Sequence, residues 1–89
     1  MIETFEIDSE AKMFPSEENV HKTDSTKVLV YIDHENKVVY LWRGDHAGVM
    51  KKLVGTRIAA MLSHKYPAYR IRPISEGAEP AAFRALLQT

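Results

Sequence analysis

Two neighbouring segments of this chain are apolar on both faces of a strand, and they limit the possible folds more than any other feature. Val28–Ile32 and Val38–Trp42 consist of β-branched, aromatic and leucine residues, and the polar residues 33–36 lie between them. Two such runs around a four-residue turn predict a β-hairpin. Because neither run alternates with polar residues, both faces of the hairpin must be covered. The hairpin therefore predicts a sheet with a layer of structure on each side.

Two further segments have the pattern of strands. Ile2–Ile7 alternates between two sets of side chains, and residues 69–74 form another β-type run in which Pro73 marks an edge or an end. The long segment Asp8–Thr26 is mostly polar, with an interruption at Met13–Pro15, and its composition predicts a loop.

The covering layers are predicted by two helical segments. Asp45 can cap a helix over residues 46–65, which Pro67 ends. A short helix over residues 80–88 begins at Pro80, since proline is favoured in the first helical turn. The expected architecture is an α/β fold of the α+β type, with a four- to five-stranded mixed sheet sandwiched between one long and one short helix.

Length and composition narrow the class of protein. With 89 residues there is room for one hydrophobic core, so we expect a single domain over residues 1–89. Twelve basic residues balance twelve acidic residues, which gives no electrostatic case for nucleic acid or an anionic membrane as partner. The chain has no cysteine, no basic segment followed by an apolar run at its start, and no apolar run long enough for a membrane span. We therefore expect a cytoplasmic protein.

Motifs that would indicate an enzyme are missing from the sequence. It contains no Ser/His/Asp nucleophile motif, no HExxH zinc motif and no phosphate-binding loop. The four histidines, His21, His34, His46 and His64, are scattered and favour surface positions over a zinc site. The acidic pairs Glu17-Glu18 and Asp33-x-Glu35 are interpreted as solvated turns rather than catalytic or calcium sites. We expect neither an enzymatic activity nor a cofactor.

Three features in order resemble the gelsolin family, over residues 27–88. Val39–Gly44 is similar to the family's VYxWxG strand, a long helix follows at once, and Ser75–Phe83 is similar to its xEGxEPxxF ending. The resemblance implies an ADF/gelsolin-like fold, and it is strongest to the small, single-domain gelsolin-like proteins of Asgard archaea. The motif residues are interpreted as structural, with Gly44 permitting the strand-to-helix turn and Phe83 anchoring the short helix.

The resemblance to gelsolin also implies a function. It indicates an actin-binding module that regulates actin monomers or filament assembly, with actin or an actin-like protein as partner. An alternative is a protein-interaction module that serves trafficking or a small GTPase and does not bind actin. A homodimer formed through an apolar helix face is a further alternative.

The long helix has two faces with different roles. Its predicted core face carries Gly55, Ile58, Ala59, Leu62 and Tyr66, which fall within about 100° of one another. On the other side lies a set that we name the contact stripe: Met50, Leu53, Arg57, Met61 and His64. Family resemblance places the actin contact at these positions, and Met and Arg are common at binding surfaces. The alternative is that the stripe packs under the loop Asp8–Thr26.

Calcium is the point at which the chain departs from the family. Where the resemblance implies calcium-ligating carboxylates, the sequence has Val28 after Lys27 in the hairpin, Lys51 early in the long helix and Ser63 late in it. Calcium requires oxygen ligands, and a lysine ammonium repels it. Asp24 could restore one ligand only through a shifted loop. We therefore expect no metal site and calcium-independent binding, with Lys51 in the space that calcium fills elsewhere.

Overall fold

The computed structural model describes residues 2–16 and 22–88, which form five strands and two helices. In chain order they are β1 (Ile2–Ile7), β2 (Met13–Pro15), β3 (Val28–Asp33), β4 (Val38–Arg43), α1 (Val49–Lys65), β5 (Arg70–Ser75) and α2 (Ala81–Leu87).

All five strands belong to one mixed sheet with the order β2-β1-β3-β4-β5. Neighbouring strands are antiparallel except β4 and β5, which are parallel because α1 returns the chain to the same end of the sheet. The predicted hairpin, β3 and β4, lies at the centre, and every residue of β3 is buried. Pro73 lies on the edge strand β5, where its missing N–H costs no ladder bond. These observations confirm the predicted fold class.

Each face of the sheet has its own core. One face packs against α1, and this α1-side core contains Val30, Leu41, Ile58 and Leu62 among its buried residues. The other face packs against α2, where Phe83 contacts Tyr31 and Tyr40 edge-on at centroid distances of 5.1 and 5.3 Å. Trp42 and Phe83 are fully buried, as the sequence predicts. The position of α1 is thus fixed by the strands beneath it.

The start of α1 differs from the sequence prediction. The helix begins at Val49 rather than residue 46, and Asp45 does not cap it. The backbone N–H of Asp45 instead donates to Glu76 Oε1 at 2.8 Å, and that of His46 to the Ser25 carbonyl at 2.8 Å. Gly48 has φ 88°, which an α-helix does not allow, so the helix can begin only after it.

Two other boundaries differ from the prediction. Met13–Pro15 was expected within a loop but pairs with β1 as an antiparallel edge strand. The short helix begins at Ala81, with Pro80 at its N-cap in extended conformation. The part of the predicted loop at 17–21, which includes His21 and the pair Glu17-Glu18, lies outside the described residues.

Gly44 is required by close packing rather than by an unusual backbone angle. A Cβ placed on Gly44 would lie 2.2 Å from the Ser25 carbonyl oxygen and 2.8 Å from that of Lys27. The segment around Ser25 therefore lies directly against the β4–α1 connection, and the Gly44 N–H donates to the Lys27 carbonyl at 3.0 Å.

Of the described helices, neither is both long and apolar enough to cross a lipid bilayer.

Candidate partner-binding surface

The side chains of the contact stripe are exposed on α1. Met50, Leu53 and Met61 have exposed fractions of 63%, 61% and 44%, and Arg57 and His64 are also exposed. From Met50 to His64 the stripe is about 21 Å long, at 1.5 Å per residue. The segments of Asp8–Thr26 that the structure describes therefore do not bury it.

The stripe lies beside the buried face of the helix, not opposite it as the sequence suggested. At about 100° per residue, the stripe covers an arc of about 80°, and the side chain of Val54 lies only about 20° from its margin at Met61. Val54 is nevertheless buried in the α1-side core. The predicted core face left out Val54. Because α1 is apolar on most sides, the sequence has no polar residue there to mark the edge of the buried face.

Val49 extends the apolar surface and was missed by the sequence prediction. It is 73% exposed at the first helical position, about 40° from Leu53 around the helix axis. Four of the five large apolar side chains that are exposed within the described residues lie on α1. An exposed apolar cluster of this kind marks an interaction site more often than a solvated surface. The sequence feature that could have indicated Val49 was its apolar side chain near the predicted helix start.

The helix that carries this surface is basic, although the whole chain has no net charge. No residue from Val49 to Lys65 is acidic, whereas Lys51, Lys52, Arg57 and Lys65 are cationic. A partner surface with an apolar centre and acidic groups at its margin would complement α1, because opposite charges around an interface favour encounter and orientation.

Lys51, which stands where the resemblance implies a calcium ligand, forms a hydrogen bond to the backbone. Lys51 Nζ donates to the backbone carbonyl of Thr26 at 3.4 Å. Asp24, two residues before Thr26, accepts hydrogen bonds from the Thr26 hydroxyl at 2.6 Å and the Thr26 N–H at 2.9 Å. These bonds, and more weakly the charge of Lys51, hold the pKa of Asp24 below its usual range. The Lys51 ammonium thus contacts one backbone oxygen of this region.

The other candidates from the sequence are structural within the described residues. Asp33 accepts hydrogen bonds from the backbone of Glu35 and from the backbone and side chain of Asn36, so it closes the hairpin turn and is buried rather than solvated. His34 is not a free surface histidine, since its ring nitrogens contact Tyr69 Oη and Glu3 Oε2. Residues 2–16 and 22–88 contain no group of three His, Asp or Glu side chains that could hold a metal ion.

Solved structures of known proteins include a relative of nearly the same extent as this chain. The chain is 60% identical to Thorarchaeota ProGel, solved in complex with rabbit actin, over 98% of this chain and 99% of that one, with a TM-score of 0.87. Thorarchaeota 2DGel3, also solved with rabbit actin, is 22% identical over 96% of this chain and 44% of that one, with a TM-score of 0.67. The second likeness shows the fold alone. No protein-family model and no curated protein matches the chain.

The three sequence motifs lie on the elements that the resemblance predicted for them. The VYLWRG segment contains most of strand β4, the long helix is α1, and the SEGAEP turn leads into α2. The order of the motifs and the fold therefore both match the gelsolin-like fold that the sequence resemblance implies. At 60% identity over nearly the whole of both chains, this chain belongs to the gelsolin-like family, as a small gelsolin-like domain protein of the Asgard archaeal type.

Proposed function

We propose that this chain is a non-enzymatic, calcium-independent actin-binding module that contacts actin through the contact stripe and Val49 on α1. The observation that carries the proposal is the 60% identity to ProGel, a chain of the same extent that was crystallised with actin. Since actin assembles inside cells, the proposal includes a cytoplasmic site of action.

The surface of α1 supports a protein partner of this kind. Its apolar side chains are exposed in a row along the helix, Arg57 lies among them, and no residue of the helix is acidic. An apolar helix face that inserts into a groove of the partner is a common mode of recognition, with anchors at the spacing of successive helical turns. The stripe has that spacing, with Leu53, Arg57 and Met61 four residues apart.

One such surface would hold one actin subunit at a time. We therefore propose that it regulates actin monomers or the start of filament assembly. Severing would require a second contact, so that one domain holds the filament side while another separates its subunits.

Calcium independence is supported by the position of Lys51. Its ammonium group already interacts with the Thr26 carbonyl, and its charge contributes to the lowered pKa of Asp8 and of Asp24. A divalent cation at this place would meet a fixed positive charge, and the repulsion would oppose binding.

The proposal is tested by titrating monomeric actin with the protein in millimolar calcium and in a chelator, with complex formation measured by analytical ultracentrifugation. We expect a complex in both buffers with the same Kd, and a melting temperature of the free protein that calcium does not change. A complex that forms only with calcium would contradict calcium independence. No complex in either buffer would contradict actin binding, and a dimer of the free protein would favour self-association instead.

A further inference from the structure

A groove lies between the β1–β2 turn and the N-terminal half of α1. Its walls are residues 9–11 of the turn and, from α1, Met50, Leu53, Val54 and Arg57. Its volume is about 260 Å³. Small-molecule sites usually measure roughly 300–1,000 Å³, so the groove suits one side chain of a protein partner better than a cofactor.

The turn that forms one wall is held rigid by its own hydrogen bonds. Asp8 Oδ1 accepts from the backbone N–H of Glu10 at 2.9 Å and of Lys12 at 3.0 Å, and the Asp8 N–H donates to the Lys12 carbonyl at 3.0 Å. Ala11 takes the left-handed backbone conformation at φ 66° and packs against the α1-side core. Because the groove is preformed, an occupant would not need to order a loop before it binds.

The groove is continuous with the contact stripe. Met50, Leu53 and Arg57 belong to both, so a partner that covers the stripe also covers the mouth of the groove. If the groove stayed empty beneath that partner, its lining atoms would lack van der Waals contacts. The centres of specific interfaces pack as densely as protein interiors. A partner side chain is therefore expected to fill it.

The lining determines the chemistry of that side chain. Ala11, Val54, Met50 and Leu53 present apolar atoms, while Arg57 and the turn residue Glu10 are exposed polar groups. A charged group placed among the apolar atoms would lose hydration without a matched partner, whereas an apolar group would gain by burial. We propose that the groove receives one apolar side chain from the actin surface that lies on α1, and that the β1–β2 turn is thus a second element of the actin contact.

This inference rests on the proposed function, and it can be tested separately because the chain has no cysteine. Ser9→Cys introduces a single thiol at the exposed rim of the groove. The purified variant is assayed for actin binding before and after alkylation with N-benzylmaleimide, which adds an aromatic ring at the mouth. The unmodified Ser9→Cys protein is the reference, and we expect the alkylated form to bind at least about tenfold more weakly than this reference.

Ala81→Cys is the matched control, since Ala81 is exposed on α2 at the other side of the sheet. The same alkylation there should leave actin affinity unchanged. Melting temperatures verify that both adducts are folded, and Ser9→Trp, which should show the same loss, replaces the Ser9 adduct if that adduct unfolds. Equal affinity of the two Ser9→Cys forms, or an equal loss at Ala81, would overturn the groove contact alone. A parent protein that does not bind actin would overturn the proposed function as well.

Discussion

At the scale of single residues, the two glutamates of the SEGAEP turn are structural. Glu76 accepts hydrogen bonds from the Ser25 hydroxyl at 2.6 Å and from the Asp45 N–H at 2.8 Å. Glu79 accepts from Trp42 Nε1 and from the Gly77 N–H, each at 3.0 Å. The turn between β5 and α2 is therefore tied to β4 and to the β4–α1 connection. These hydrogen bonds give both glutamates of the SEGAEP motif a structural role within the fold, rather than a role in a binding site.

The Glu79 contact gives a stability prediction. Glu79→Ala leaves the indole N–H of the fully buried Trp42 without its acceptor, so we expect the free energy of unfolding to fall by about 1–3 kcal/mol. Glu79→Gln keeps an acceptor oxygen and should cost less. Urea denaturation measures both, with Glu35→Ala in the exposed hairpin turn as the control. A Glu79→Ala variant as stable as the control would show that the bond contributes nothing.

The sequence predicted the buried residues better than their polar partners. The burial of Trp42 and Phe83 follows from their size and apolar character within β-type and helical patterns. The bond between Trp42 and Glu79 joins residues 37 positions apart, and the bond between Ser25 and Glu76 joins residues 51 apart. Nothing in local pattern specifies such pairs, because they depend on how the strands are ordered in the sheet.

At the scale of elements, a glycine is required in the β4–α1 connection but not within α1. Gly44 lies against the backbone of Ser25, whereas a Cβ on Gly55 would be 3.8 Å from side-chain atoms of Leu41 and Val28, which is ordinary contact. Gly55 lies on the predicted core face of α1, and the space beside it has room for a methyl group.

These two glycines give a paired prediction. Gly44→Ala should destabilise the fold by at least about 3 kcal/mol, because the backbone of two segments must separate to admit the methyl group. Gly55→Ala should stabilise it by about 0.5–1 kcal/mol, because alanine favours the helix and fits the space. Thermal and urea unfolding measure both variants. The same sign of change in both would contradict this account of the packing.

Elements with strong apolar runs were predicted well, and those set by tertiary contacts were not. The hairpin and β1 appear close to the predicted bounds, since their patterns extend over five or six residues. The three-residue strand β2 exists because β1 offers it an open edge, which local composition does not reveal. In the same way, the start of α1 depends on Gly48 and on bonds to distant residues. Val49 and Val54 were misjudged because periodicity alone cannot orient a helix that is apolar on most sides.

At the scale of the whole molecule, hydrogen-bonded carboxylates determine the response to acid. The pKa of Glu76 is lowered by hydrogen bonds from Ser25 and Asp45, and that of Glu79 chiefly by Trp42. Burial raises the pKa of Asp33, but hydrogen bonds from Asn36 and Glu35 outweigh this effect and lower it. Each group therefore binds a proton less readily in the folded state than in the unfolded chain.

The sign of these shifts predicts acid sensitivity. A lowered folded-state pKa stabilises the fold above the ordinary carboxyl pKa of about 4, and this stabilisation is lost as the pH falls through the folded value. We expect a nearly constant melting temperature from about pH 7 to pH 5.5 and a decline below about pH 4.5. Glu79→Gln should decline less steeply, because it removes one titrating group. Calorimetry over this range checks both, and a melting temperature that rises on acidification would contradict the assignment.

The central claim is that the exposed side of α1 is the actin contact, and Leu53→Asp tests it most directly. The side chain is 61% exposed, so the variant should keep its free energy of unfolding within about 1 kcal/mol of the parent. If Leu53 is buried against actin, the same change should weaken binding by about 2 kcal/mol or more, and Arg57→Glu should act alike.

The decisive measurement is the actin Kd and the melting temperature of the same Leu53→Asp preparation. Phe14→Asp is the matched control, since Phe14 is an exposed apolar residue on β2, and its neighbour Met13, not Phe14, packs against the α1-side core. The account predicts that Leu53→Asp remains folded and loses actin binding at least about thirtyfold, while Phe14→Asp binds as the parent does. A folded Leu53→Asp protein that binds actin with the parent's Kd would contradict it.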